Sequence, residues 1–412
     1  MSVNPSVPAC DSAPGSLRSE LVLTPSRPVR TPEGRIRQVC EIERRSGSTS
    51  VNSVLWWEGP ESLPVLESGD AEPFLISCIF DAMAEDRDIR VHGKVGLRLL
   101  ANLEEYQIAW NRWKPDLYQR VGIFPDIVVE EQDRAWSTAA VVAFSGGVDA
   151  TFSVWRHHKS LAGAASRKIA ACALVHGFDI ALDDVEKFDT SLALAEETLG
   201  SIGLELVPLR TNLRVGSPRD WNDIHGAATV AALHFLKHLA PVALVGSTEA
   251  YDQLVLPYGS NPITDPLLSS ASLEVVHDGA GFDRTQKVRA ISSWEVAFRN
   301  LRVCWKGKQA GANCGHCEKC LRTRLNFMAN GIAPPESLES GSAPDFRLLD
   351  SEHPLILREF GQILLAAHRR GVKDPWVRAL AHRLTWLGRR NAFRRTWRSL
   401  KRALRPLVRR SP

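Results

Sequence analysis

The chain reads as an α/β protein built on a doubly wound parallel sheet, and three features predict it. Short apolar strands alternate with longer helical stretches between Ala139 and Gly246. A glycine-rich turn, Ser145-Gly146-Gly147, separates the first of these strands from its helix. A crowd of cysteines, Cys304 to Cys320, follows the last strand. Strands joined by helices of this length are read as crossover units that pair in parallel.

The elements run in order. Ala139–Phe144 is the first strand and a helix is expected from about Ala150 to Leu161. Lys168–His176 is the second strand, Asp183–Ile202 has helical periodicity, and Glu205–Leu209 is the third strand. Asp223–Leu239 reads as a long helix and Pro241–Gly246 as the fourth strand. Ligands on such sheets bind at the carboxyl ends of the strands.

The flanks read differently. Residues 1–18 are rich in Ser, Pro and small residues and are expected to be disordered. Residues 19–135 are expected to form an accessory α/β or α+β domain. Within it, Arg37–Arg44 and Ser50–Trp57 pair as strands, Phe74–Met83 is a helix and Ile123–Glu130 a strand. Tyr106, Trp110, Trp113 and Tyr118 lie near a helical pattern. This region shows no catalytic motif and reads as a scaffold or a substrate-shaping unit. Residues 136–334 form the central domain. Residues 335–412 are a Pro/Ser/Glu-rich linker and a basic helical tail.

Composition sets further bounds. A chain of 412 residues exceeds one small domain, and 44% apolar residues suffice for a sizeable core. The net charge of +4 is uneven, because His368–Pro412 is dense in Arg and Lys with Asp374 as its single acid. Such a tail suits an anionic partner, either nucleic acid or an anionic membrane surface. A run of apolar residues long enough to span a bilayer is not found, and the N-terminus lacks the pattern of a signal peptide. A cytoplasmic chain is therefore expected, in which cysteines serve metals or remain free thiols. Cys10, Cys40, Cys78 and Cys172 are scattered and read as plain thiols.

The turn Ser145-Gly146-Gly147-Val148-Asp149-Ala150-Thr151 follows a strand and opens a helix. Glycines let the backbone approach an anion, and the helix N-terminus favours phosphate. Ser145 adds a hydroxyl. Asp149 either caps the helix or helps hold Mg²⁺ against pyrophosphate. The plain alternative is an ordinary βα turn. Neither a Walker loop nor a Gly-x-Gly-x-x-Gly turn fits this spacing. Tyr258–Pro266 is polar and punctuated by Gly and Pro, which suits a substrate lid. Arg284 and Lys287 begin a helical stretch beyond it and are candidates for ATP phosphates.

Cys304-x9-Cys314-x2-Cys317-x2-Cys320 offers the four thiolates of a closed, structural zinc site. An iron–sulfur cluster and a redox pair are the weaker readings. Lys319 and Arg322 are placed to offset the negative charge of such a centre, and His316 is surplus to it.

The Ser-Gly-Gly-x-Asp turn after a strand resembles the PP-loop of N-type ATP pyrophosphatases. Joined to the Cys-x9-Cys-Gly-x-Cys-x2-Cys cluster, it resembles the 7-cyano-7-deazaguanine synthases over residues 139–331. That resemblance implies an adenine-nucleotide alpha-hydrolase-like (HUP) fold, and ATP bound by residues 145 to 151. It also implies nucleotide or substrate contacts at the second strand's end, at His176, and at the fourth strand's end, at Ser247 and Thr248. One position departs from the pattern. The usual last serine is Ala150 here, with Thr151 and Ser153 as the nearest hydroxyls.

The implied chemistry is AMP- and pyrophosphate-forming activation of a small-molecule or macromolecular carboxylate. Attack by ammonia or an amine follows, giving an amide or nitrile. Ser145, Asp149 and Lys287 are its candidate catalytic residues, and ATP, Mg²⁺ and Zn²⁺ its cofactors. Two other readings stand beside it: a PP-loop enzyme that modifies tRNA or another nucleic acid, and a non-catalytic module that binds nucleotide or docks on a membrane or partner. A homodimer is also left open.

Overall fold

Leu21, Val22 and Leu23 are buried in β1 (Glu20–Pro25), the first strand of a sheet that continues to the other end of the fold. The computed structural model describes residues 19–130, 137–307, 311–338 and 343–408. The expected disorder of residues 1–18, Cys10 and the last arginines at 409 and 410 lie outside them.

After β1 come β2 (Val29–Arg30), β3 (Arg35–Ser46) and β4 (Thr49–Pro60). β3 and β4 form a hairpin at the place the sequence indicates. Then follow α1 (Glu72–Glu85), β5 (Asp88–Gly96), α2 (Leu97–Trp113) and β6 (Ile123–Val129). The central segment contains β7 (Ala139–Ala143), α3 (Val148–His158), β8 (Lys168–His176), α4 (Val185–Gly200) and β9 (Leu206–Thr211). It continues with α5 (Trp221–His234), β10 (Val242–Gly246), β11 (Glu274–Asp278), α6 (Arg284–Ile291) and α7 (Glu295–Arg299). The C-terminal part is α8 (Glu318–Ala329), α9 (Pro354–Arg369) and α10 (Pro375–Val408).

The sheet is mixed and mostly parallel, in the order β11-β10-β7-β8-β9-β4-β3-β1-β5-β6, with β2 on β3. β7 pairs in parallel with both β8 and β10. Chain order therefore runs outward from β7 in both directions, which opens a crevice at its carboxyl end. One apolar cluster joins α1, α2 and α5 to one face of the sheet. A second joins α3, α4, α6 and α7 to the other. A third holds α8, α9 and α10 together.

Residues 19–130 share this sheet with the central segment. β4 meets β9 antiparallel through Trp57↔Thr211 and Glu58↔Arg210. The Asn212 amide extends the joint, accepting from Trp56 N and donating to Val54 O, both at 2.8 Å. Trp57 is 1% exposed and packs 5.1 Å from the Phe235 ring. Burial of an indole this large favours joining the two parts by several kcal/mol, roughly 2 to 3 from area alone.

Four strands lie where none is expected from the sequence: β1, β2, β5 and β11. β5, Asp-Ile-Arg-Val-His-Gly-Lys-Val-Gly, interleaves charges with its apolar residues, and β11 is short with acids at both ends. The helix expected to reach Leu239 ends at His234. Beyond it, Phe235, Leu236 and Leu239 bond three residues back, a tighter turn that closes the helix before β10. Among the described residues, no helix is long and apolar enough to cross a membrane.

Gly226 shows how tightly the crevice wall is built. A Cβ there would lie 1.9 Å from the carbonyl oxygen of Gly259, so loop 256–266 is laid directly on α5. Replacing it, Gly226→Ala, is expected to destabilise the protein by about 2 kcal/mol or more, read as a lower urea midpoint. An unchanged midpoint would show that the loop yields freely.

Candidate active site and metal centre

The turn after β7 is shaped by its glycines. Gly146 has φ +73°, a left-handed value that suits glycine. Ser145 is exposed at the crevice, and its Oγ accepts weakly from Gly147 N at 3.4 Å. The chain then enters α3, whose first-turn N–H groups have no partner inside the helix. Gly246, at the end of β10, comes so close that a Cβ would sit 2.9 Å from Asp149 O. The two strand ends thus pinch the start of α3.

A buried ion network lies beneath this turn. Asp149, in the first turn of α3, accepts from Arg284 Nη2 at 2.8 Å and from Lys287 Nζ at 3.3 Å. Lys287 is 0% exposed and also donates to the carbonyl and the hydroxyl of Ser247, the latter at 2.9 Å. All three of its N–H donors are used, as a buried ammonium requires. Burial pulls the Lys287 ammonium below its usual range, against the attraction of Asp149. Arg284 reaches Glu359 of α9 at 3.5 Å, and Glu359 also pairs with Arg322 of α8. Four elements, α3, α6, α8 and α9, are thereby tied together by charge.

A cavity of about 800 Å³ opens above this network. Ser145, Gly147, Val148, Asp149, Ala150, Thr248 and Arg284 line it. Gly146 faces a small adjoining space with Thr151. Lys287 and Ser247 stand behind Asp149 rather than on the cavity wall, which differs from the direct phosphate contact expected of them. Thr151 is 1% exposed and Ser153 is 0%, so neither turns a hydroxyl to the cavity in place of the serine missing at Ala150.

His176 also departs from expectation. Gly177 has φ +101°, and a Cβ there would strike Thr211 O at 2.0 Å, so the chain turns sharply after β8. His176 is left 1% exposed, its Nε2 is 2.8 Å from Ala181 O, and its ring stacks 4.3 Å from Phe188. It holds its own loop and lies off the cavity wall. Loop 258–266 is likewise no open lid. Asn261 is 2% exposed and bonds Tyr258 O, Thr264 Oγ1 and two backbone N–H groups. Asp265 is 0% exposed and accepts from Ser260 Oγ while its Oδ2 lies 2.7 Å from His277 Nδ1. Tyr258 and Ser260 make it a fixed wall.

The cavity also has wall residues whose place there is not legible in the sequence. Lys114, from the end of α2, bonds Asp223 of α5 at 2.6 Å, so the N-terminal part contributes a side chain. Trp221, His225 and Tyr258 form an aromatic series, with His225 4.8 Å from Tyr258. Arg302 and Arg322 reach the cavity from either side of the cysteines. Burial lowers them to about 9 and about 10 respectively. Proximity to Cys304 and Cys320 was the one sequence signal these arginines carried.

The cysteines converge. The Sγ atoms of Cys304, Cys314, Cys317 and Cys320 all lie within 4.8 Å of one another. Cys317 and Cys320 are 3.6 Å apart, and Cys314 and Cys320 3.9 Å. A tetrahedral ion with bonds of about 2.3 Å needs sulfur–sulfur edges of about 3.8 Å. The donor set therefore suits a metal ion such as zinc. The contact between Cys317 and Cys320 draws the Cys317 thiol down to about 4 and pushes Cys320 up. Gly315 turns the chain at φ +70°, and His316 is exposed outside the set. Asn313 accepts from Val303 N at 2.8 Å and Cys304 N at 3.2 Å and donates to Leu301 O at 2.9 Å. Arg322 is engaged by Glu318 and Glu359, so it does not face the sulfurs as expected.

A scan of protein-family models finds none that matches this chain, and searches of curated proteins and of solved structures return no match. The site therefore rests on its own geometry.

A metal ion held by these four sulfurs would have no open position, the arrangement of a structural rather than a catalytic centre. Purified protein is expected to carry close to one zinc per chain by elemental analysis. Cys317→Ser is expected to lower that content and the thermal midpoint together. Full metal content in this variant would remove the centre from the account.

Proposed function

We propose that this protein is a PP-loop, HUP-type ATP pyrophosphatase that activates a carboxylate by AMP transfer and then passes it to ammonia or an amine. The observation that carries this reading is the turn 145–149 at the head of β7. It sits where chain order reverses, opens a helix, and is joined by Arg284 on the wall of a cavity large enough for a nucleotide and a second substrate.

In this reading the peptide N–H groups of the turn and the Ser145 hydroxyl receive the β- and γ-phosphates. Arg284, held by Asp149, offsets charge on the leaving pyrophosphate. The substrate carboxylate oxygen attacks the α-phosphorus, the bond to the bridging oxygen breaks, and pyrophosphate leaves. The nitrogen nucleophile then attacks the acyl carbon and AMP departs. Lys287 acts through Asp149 and Ser247 as a positioning residue. Asp149 is the one carboxylate of the turn, and two cations already hold it. Mg²⁺ thus fits best as the counter-ion that enters with ATP, supplying charge neutralisation when bound. Thr248, on the cavity wall at the end of β10, is the candidate for the α-phosphate end.

The aromatic series Trp221, His225 and Tyr258, together with Lys114, marks the acceptor end. It lies where α2 and α5 meet, which gives residues 19–130 a part in shaping the substrate. A second reading, modification of a nucleic acid, is favoured by one observation. Trp386 of α10 is 44% exposed with Arg383 and Arg390 at 4.5 and 4.9 Å from its ring. Such an element suits stacking on a base beside phosphates. Side chains from Arg395 onward, Trp397 included, lie outside the described residues.

The test is to incubate the protein with ATP, Mg²⁺, ammonia and a panel of carboxylic acids. Equal amounts of AMP and pyrophosphate are expected with the right acid, and release of ADP instead would sink the reading. Lys287→Met is expected to lower turnover about a hundredfold, on the scale of losing one electrostatic contact. Wild-type turnover in that variant would show that the ion network has no part in catalysis.

A further inference from the structure

Among the described residues, Arg302 is the buried cation of this site that lacks a counter-charge. It is 5% exposed and lines the cavity beside Ser145 and Gly147. Its neighbours among the arginines are paired: Arg284 with Asp149 and Glu359, Arg322 with Glu318 and Glu359. Among the described residues, no carboxylate forms an ion pair with Arg302. Its Nη2 donates to Ser145 O at 3.5 Å, a long bond, and its Nη1 is buried without any partner. The guanidinium lies 3.7 Å over the Trp305 ring, which fixes its plane but leaves Nη1 unspent. Asp179, exposed on the cavity wall, attracts it only from a distance.

Burying a charge in this way is costly unless something in the site completes it. What faces it is the phosphate turn. The backbone of Arg302 is locked to that turn, its N donating to Gly146 O at 3.1 Å. Three kinds of donor thus converge on one space: the planar guanidinium, the Ser145 hydroxyl and the peptide groups that open α3. A guanidinium presents two parallel N–H donors that match the oxygens of a phosphate group.

We infer that Arg302 is a further ligand of the pyrophosphate group that the 145–147 turn receives in that reading, and that the cysteine loop sets its position. Cys304 stands two residues on, and Asn313 binds the N–H groups of Val303 and Cys304 to the strand of chain before the cluster. The guanidinium is therefore held from one side by the phosphate turn and from the other by the cysteine loop. The inference deepens the AMP-transfer reading and takes from it the pyrophosphate as ligand, but it concerns binding and can be measured without turnover.

The experiment is calorimetric titration of inorganic pyrophosphate, with Mg²⁺, into the full-length wild type, Arg302→Met and Arg302→Lys. Zinc content and thermal midpoint are measured for each. Wild type is expected to bind. Arg302→Met, which keeps the stem over Trp305, is expected to bind at least about tenfold more weakly, with Arg302→Lys between the two. Retained zinc and an unchanged midpoint would mark the loss as local. Arg302→Met binding pyrophosphate as wild type does would overturn this role of Arg302, as would a wild type that fails to bind it at millimolar concentration. If Arg302→Met does not fold, Arg302→Lys decides, with pyrophosphate's shift of the midpoint as the readout. The two claims separate cleanly. Pyrophosphate binding without AMP formation leaves this role of Arg302 standing and removes the reaction, whereas AMP formation with Arg302→Met at wild-type affinity does the reverse.

Discussion

Asp149 is the charge on which the site depends. It sits in the first turn of α3, directly after the glycine turn, and it fixes Arg284 and Lys287 of α6. Lys287 passes the constraint to Ser247 at the end of β10, and Arg284 passes it to Glu359 of α9. Removing Asp149 would leave two cations facing each other with one partner fewer, a change that costs about 3 to 5 kcal/mol in buried settings. The carboxylate therefore does structural work for a turn that is otherwise open to the cavity. Its position at the N-terminus of α3 adds the favourable field of the helix.

The N-terminal part is a wall of the same site. Its last two strands before α1, β3 and β4, extend the central sheet through β9, and α1 packs against α5 in the shared core. A buried group of charges, Glu72 of α1 with Lys237 at 2.8 Å and Asp70 with Lys237 at 2.5 Å, adds a polar tie at the end of α5. This arrangement carries Lys114 to Asp223 and so to the cavity. The cysteine side is built on the same logic: the cluster lies close to the wall, with Arg302 and Arg322 in the chain on either side of it.

Local signals were legible and long-range ones were not. Ser145-Gly146-Gly147 and the cysteine spacing can be read because the chemistry is carried by neighbours in sequence. The apolar strands Ala139–Phe144 and Lys168–His176 were legible because both faces are covered. Lys287 and Ser247 belong to the site's support, and only the tertiary arrangement shows that Asp149 stands between them and the cavity. His176 looked like a ligand because it ends a strand. The left-handed turn at Gly177, which folds it inward onto Phe188, has no unambiguous mark in the sequence. Lys114 carries no local signal at all, since its role arises from a pairing between β4 and β9 more than a hundred residues apart in the chain.

The central claim is that a carboxylate oxygen attacks the α-phosphorus of ATP. Its most direct test uses the acid that supports turnover, labelled with ¹⁸O in the carboxylate and followed by mass spectrometry. The account predicts one labelled oxygen in AMP and none in pyrophosphate. Unlabelled AMP, or label appearing in inorganic phosphate, would contradict it.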